Sequence, residues 1–140
     1  MDVRIDHANL EREFVLAFPD LTEKYQEQRQ IFGGEKELGN YGVFAFVLKP
    51  RLKEEFARGV RTEFLERVAT FVEKVCASGD LEAINVLWLK VFRLLLDEPD
   101  SLKLLWPMLG DCSRKEIEMA AKKWGKTASL SRKWWQKLRR

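Results

Sequence analysis

The sequence contains one histidine and only two cysteines in 140 residues, which restricts the chemistry that it can support. Cys76 and Cys112 lie far apart and lack the spacing of a zinc knuckle or of a redox CxxC motif. His7 stands alone near the start of the chain, where a solvated side chain is the usual role. We therefore predict two reduced thiols, no metal site and no cofactor.

Sequence motifs that are diagnostic of a particular enzymatic reaction are also absent. The sequence has no GxSxG, HExxH, P-loop or GxGxxG pattern. The glycine-rich stretch "GGEKELGNYG" lacks the Lys-Ser/Thr pair that binds a phosphate and its metal ion. Adjacent carboxylates such as Glu54 and Glu55 point in different directions on a helix, so we interpret them as a solvated face. The sequence predicts a protein that is not an enzyme.

Long hydrophobic runs are missing as well. The longest, "YGVFAFVL" and "VLWLKVFRLLL", are shorter than the roughly 20 residues that a membrane-spanning helix needs. The first residues are charged and include no apolar segment of the signal-peptide type. We expect no membrane span and a cytoplasmic location.

Helical periodicity is the dominant pattern that is present. Apolar residues recur with a 3.6-residue period over 62–76 and 81–96, and Thr62 and Asp80 stand where N-caps are expected. The second face is the widest, so we expect Trp88 and Phe92 to be buried. The pattern predicts an all-α fold: one domain over residues 1–140, a bundle of about six to seven helices.

Two local features need separate interpretation. Residues 43–48 have the β-branched and aromatic content of a buried strand, but no partner strand is evident, so we favour helix on both sides of a kink at Pro50. Ser113, with Glu116 three residues later, matches a capping box and predicts the start of the last well-defined helix.

The charge is distributed unevenly along the chain. The net charge is +3, but residues 1–40 hold nine acids and five bases, whereas residues 122–140 hold eight bases and no acid. Such a division suggests binding partners more strongly than the mean charge does. The acidic beginning predicts a partner-binding face that includes Glu11, Asp20, Glu23 and Glu27.

The basic, tryptophan-rich segment 122–140 ends in "RKWWQKLRR" and predicts a terminal helix. We expect this helix to pack mainly on its own domain, with Trp134 and Leu138 facing inward. Nucleic-acid binding, a membrane surface and a peptide groove remain as alternatives, because cations and tryptophans suit each of them. The side chains available to a partner are Arg132, Lys133, Trp135, Lys137, Arg139 and Arg140.

The order of segments over residues 41–125 resembles a family of small, uncharacterised all-helical bacterial proteins. The resemblance rests on a helix that ends in "SGD", the apolar helix that follows at once, and "LWPMLGDCSRKEIEMAAKKW". Some members of that family look like immunity partners of secreted antibacterial toxins. The resemblance implies a protein-binding module that neutralises a toxin domain, and it does not extend to the basic segment. The alternative is a nucleic-acid-associated helical protein that acts through this segment.

Overall fold

The computed structural model describes residues 4–32 and 37–125. These residues form seven helices and no strand, which confirms the all-α prediction; the expected basic C-terminal helix lies outside the described residues. The helices are α1 (Leu10–Ala17), α2 (Thr22–Ile31), α3 (Asn40–Val43, Phe44–Leu48 and Lys49–Ala57), α4 (Glu63–Ser78), α5 (Leu81–Leu87, Trp88–Phe92 and Arg93–Asp97), α6 (Pro99–Leu105) and α7 (Asp111–Lys123). None of them is long and apolar enough to cross a membrane.

The ambiguous residues 43–48 are helical, as predicted. Within α3, Phe44–Leu48 is π-helical, and the Lys49 N–H donates to the Phe44 carbonyl five residues earlier. Pro50 explains the wider turn, because it has no N–H and its ring clashes with the carbonyl of the residue four positions before it. The chain therefore passes the proline without leaving the helix.

A second π-helical segment, Trp88–Phe92, interrupts α5 and contacts the first. The wider turn brings Leu87 and Phe92, five residues apart, to the buried face, and both are 0% exposed. Trp88 is displaced to the edge of that face. It is only half-buried, so its predicted full burial was wrong, whereas that of Phe92 is confirmed.

The turn between α4 and α5 is formed as its residues predict. Thr62 Oγ1 accepts a hydrogen bond of 3.2 Å from the Leu65 N–H and caps α4. Asp80 Oδ1 accepts one of 3.0 Å from the Ala83 N–H and caps α5. Gly79 ends α4 with a φ of 76°, a left-handed conformation that favours glycine.

The predicted capping box at Ser113 was wrong. Helix α7 begins two residues earlier, at Asp111, and Ser113 lies inside its first turn. The acceptor comes from α4: Glu73 Oε1 accepts from the Ser113 N–H at 2.8 Å and from its Oγ at 2.7 Å. Glu116 instead accepts a hydrogen bond from the Trp88 indole N–H at 2.7 Å. A carboxylate from another helix thus caps α7, which joins α4 to α7.

Aromatic side chains fill the centre between α1, α3 and α4. Their ring centroids are 4.9–6.4 Å apart in tilted and edge-on pairs, an arrangement that aromatic quadrupoles favour. The cluster consists of Phe14, Phe18, Phe44, Phe64 and Phe71. It fixes the position of α1, and hence of the turn that leads into α2.

Candidate protein-binding groove

Glu11, which we expected on the partner-binding face, is buried. It is 6% exposed and accepts hydrogen bonds from the Tyr25 hydroxyl, the Leu38 N–H at 3.0 Å and the Gly39 N–H at 2.8 Å. Burial of the Tyr25 hydroxyl and its hydrogen bond to Glu11 raise the pKa of Tyr25. Glu11 therefore ties α1 to α2 and to the start of α3, and it offers no surface to a partner.

Asp20 lies on the surface, but its charge is compensated within the chain. Arg67 binds both of its carboxylate oxygens, at 2.8 and 3.0 Å, and Arg51 lies 3.8 Å away. The hydrogen bond from Arg67 lowers the pKa of Asp20, although partial burial opposes the shift. Arg67 also binds Glu63 at 2.9 Å. Asp20 thus anchors the beginning of α2 to α4.

Glu23 and Glu27 are exposed on α2, one turn apart, as the sequence suggested. Like charges four residues apart cost a helix about 0.2–0.5 kcal/mol, because they face the same side. Among the described residues, neither carboxylate forms an ion pair or a side-chain hydrogen bond. Lys24, three residues before Glu27, offsets part of this repulsion, and a cation from elsewhere would offset the rest.

Together with α3, these carboxylates border a groove of about 330 Å³, which we call the acidic groove. Four carboxylates and two cations line it, so its net charge is −2. Its lining also includes Leu21, Val47 and Pro50, which form a narrow apolar floor, because Leu21 and Val47 are only 5% and 1% exposed and Pro50 is the exposed member. The charged residues of the groove are Asp20, Glu23, Lys24, Glu27, Arg51 and Glu54.

Sequence reasoning missed Glu54 because it treated Glu54 and Glu55 as one solvated pair. Glu55 is in fact buried, at 3% exposure, beside Arg51 at 3.3 Å and Arg58 at 3.6 Å. Its place follows from periodicity, since Leu52, Glu55 and Phe56 share the buried face of α3. Glu54 points the other way, to the groove, and forms no ion pair with another described residue.

Arg51 adds little positive charge to the groove. Its guanidinium is shared between Glu55 and Asp20, and its central carbon lies 4.5 Å from the centroid of the Phe64 ring. Three carboxylates therefore border the groove without forming an ion pair with another described residue, although Lys24 lies beside them: Glu23, Glu27 and Glu54. A basic segment would find there an anionic rim and an apolar floor.

His7 lies on a separate part of the surface, at the start of α5. Its Nδ1 is 3.2 Å from Asp80 Oδ2, and its Nε2 is 3.5 Å from Glu82 Oε2. The hydrogen bond to Asp80, followed by the charge of Glu82, raises the pKa of His7 above its ordinary value of 6.5. Residues 4–32 and 37–125 contain no group of three or more His, Cys, Asp or Glu side chains that could hold a metal ion.

The raised pKa of His7 predicts a dependence of stability on pH. Because protonated His7 is favoured in the folded state, its stabilising contribution is present below pH 6.5 and is lost as the pH rises through the folded-state pKa. The melting temperature should therefore fall as the pH rises through this pKa, and His7→Gln should remove this part of the pH dependence. An NMR titration that places the pKa of His7 at or below 6.5 would contradict the arrangement.

The six residues proposed in the C-terminal segment lie outside the described residues, so their positions relative to the groove remain a prediction. They are Arg132, Lys133, Trp135, Lys137, Arg139 and Arg140. Of the four acidic residues proposed, the structure places Asp20, Glu23 and Glu27 together at the acidic groove and puts Glu11 in the interior.

Comparison with known proteins identifies the family. No curated protein and no solved structure matches the chain. A model described as a domain of unknown function, DUF7674, matches residues 12–125. The match includes all seven helices apart from the first two residues of α1, and it excludes the basic segment that follows Gly125. Because the match covers most of the sequence, the chain belongs to the DUF7674 family.

Proposed function

We propose that the protein is a non-catalytic binding module of the immunity type, which neutralises a cationic toxin domain by binding it at the acidic groove. The supporting observation is the set of three carboxylates, Glu23, Glu27 and Glu54, which border the groove without forming an ion pair among the described residues and give its lining a net charge of −2. A cytoplasmic location belongs to this proposal, for a toxin domain that acts in the cytoplasm.

The physics of such a surface suits rapid and specific association. Uncompensated charge around a concave surface raises the rate at which an oppositely charged partner arrives, and complementary charges fix its orientation. The helices that border the groove are held in place by the contacts of Asp20 with Arg67 and of Glu11 with Gly39. A groove that is already formed loses less conformational entropy when a partner binds.

The test reverses the charge of the groove. Glu23→Lys with Glu54→Lys should weaken binding to a toxin encoded beside this gene by about tenfold or more at low salt, mainly through a slower association rate. In cells that produce this toxin, co-expression of the variant should no longer restore growth. The control is Glu66→Lys with Asp100→Lys, which makes the same change in charge at exposed positions outside the groove.

Thermal unfolding should first show that both variants are folded. Equal loss of binding in the two variants would indicate a non-specific charge effect. Full protection by the groove variant would place the binding surface elsewhere. If no neighbouring gene product binds the wild-type protein, the immunity role is wrong.

A second candidate function is nucleic-acid binding through the C-terminal segment, which is favoured by its six cations and no acid over residues 126–140. Neutralising phosphates releases counterions, so the logarithm of the binding constant should fall steeply with the logarithm of the salt concentration. Retention on single-stranded DNA or RNA at low salt, lost when Arg132, Lys133 and Lys137 are changed to Glu, would support it. Binding that is independent of these residues would exclude it.

A further inference from the structure

The acidic groove and the C-terminal segment have opposite charges. Residues 4–32 and 37–125 hold 20 acidic and 18 basic side chains, whereas residues 126–140 hold six basic and no acidic ones. The segment also contains Trp134 and Trp135, which suit an apolar floor with a polar rim. The groove thus offers what the segment lacks: carboxylates beside an apolar surface.

The end of α7 lies within reach of the groove. Trp124 contacts Trp88 with ring centroids 5.6 Å apart, so the chain leaves α7 beside the π-helical segment of α5. That segment contacts the π-helical segment of α3, which contributes Val47 to the groove. Seven residues lead from Lys126 to Arg132 and span about 23 Å when extended, and the last residue can lie up to about 50 Å from Gly125.

We infer that residues 126–140 dock in the acidic groove of their own chain. Their cations pair with Glu23, Glu27 and Glu54, and a tryptophan covers the floor of Leu21, Val47 and Pro50. The segment then occupies the surface that a cationic partner needs, so it acts as an intramolecular competitor. This inference goes beyond the proposed function, since it concerns the free protein and holds whether or not a toxin is the partner.

Hydrogen exchange of the full-length protein tests the docking without any partner. Because the segment is predicted to dock as a helix, the amides of 130–138 should exchange at least about tenfold more slowly in dilute buffer than in 0.5 M salt, which screens the pairing and releases the helix. Glu23→Lys with Glu54→Lys should abolish this protection. Glu66→Lys with Asp100→Lys should leave it intact. Comparison of these two variants distinguishes docking at the groove from a general effect of net charge.

A charge swap completes the test. A segment variant carries Arg132→Glu, Lys133→Glu and Lys137→Glu. By itself it should lose the protection, and in combination with Glu23→Lys and Glu54→Lys it should regain it. Protection that persists in the groove variant would show that the segment docks elsewhere, and absence of protection in the wild-type protein would show that it does not dock. Either result overturns the inference. Neither bears on the proposed function, which is tested by partner binding at the groove.

Discussion

Phe92→Ala is expected to lower the free energy of unfolding by about 3–5 kcal/mol, the usual cost of removing a buried aromatic side chain. Phe92 is 0% exposed and belongs to the π-helical segment of α5 that packs on α3 and α7. The surrounding helices cannot collapse fully into the space that the ring leaves. Urea denaturation followed by far-UV circular dichroism measures the change.

Leu89→Ala is the matched control, because Leu89 lies in the same segment of α5 but is 39% exposed. Its cost should be within about 1 kcal/mol, as for most surface substitutions. A cost below about 1 kcal/mol for Phe92→Ala would show that the centre of the bundle lies elsewhere.

Glu73→Ala is expected to cost about 2–3 kcal/mol, because hydrogen bonds to a charged group are among the stronger ones and their donors would be left without a partner. The carboxylate accepts from both the N–H and the Oγ of Ser113 and, at 3.3 Å, from the Cys112 N–H. All of these donors belong to the first turn of α7. Chemical denaturation should therefore show a large loss from one half-buried side chain.

Gly110→Ala should depend on Glu73. Gly110 has φ −82° and ψ 178°, which alanine adopts without strain, but an added Cβ would lie 2.6 Å from Glu73 Oε2. The substitution should cost about 1–3 kcal/mol in the wild-type protein, as overpacking does. In the Glu73→Ala background it should cost less than about 0.5 kcal/mol. Additive costs in the double-mutant cycle would contradict this explanation.

The sequence predicted the fold where local interactions decide it. The apolar period of α4 and α5 and the caps at Thr62 and Asp80 are set by residues within one or two turns of each other, so spacing was enough. The π-helical segments changed the period itself. Trp88 and Phe92 would share a face in an α-helix, but the extra residue in the turn gives that face to Leu87.

Interactions between distant parts of the chain could not be inferred from spacing. Ser113 has a plausible acceptor three residues later, yet it binds Glu73 from another helix. Glu11 belongs to the acidic beginning by charge, yet it binds the backbone N–H groups of Leu38 and Gly39, at the end of the connection between α2 and α3. Asp20, Glu23 and Glu27, which were grouped by charge alone, do line one groove, but their binding of a partner stays a prediction. Charge could not add Glu54, because only the packing of α3 on α2 brings this residue to the groove.

The capping of α7 by a residue of α4 has a consequence for the order of folding. Gly110 supplies no side-chain cap, and an isolated helix of the length of α7, 13 residues, is marginal in water. By contrast, α4 and α5 carry their own caps and are joined by a short turn. During refolding, amides of α4 and α5 should therefore become protected before those of α7, and mutations at Ser113 should mainly accelerate unfolding. Pulse-labelling hydrogen exchange that finds α7 protected first would contradict this order.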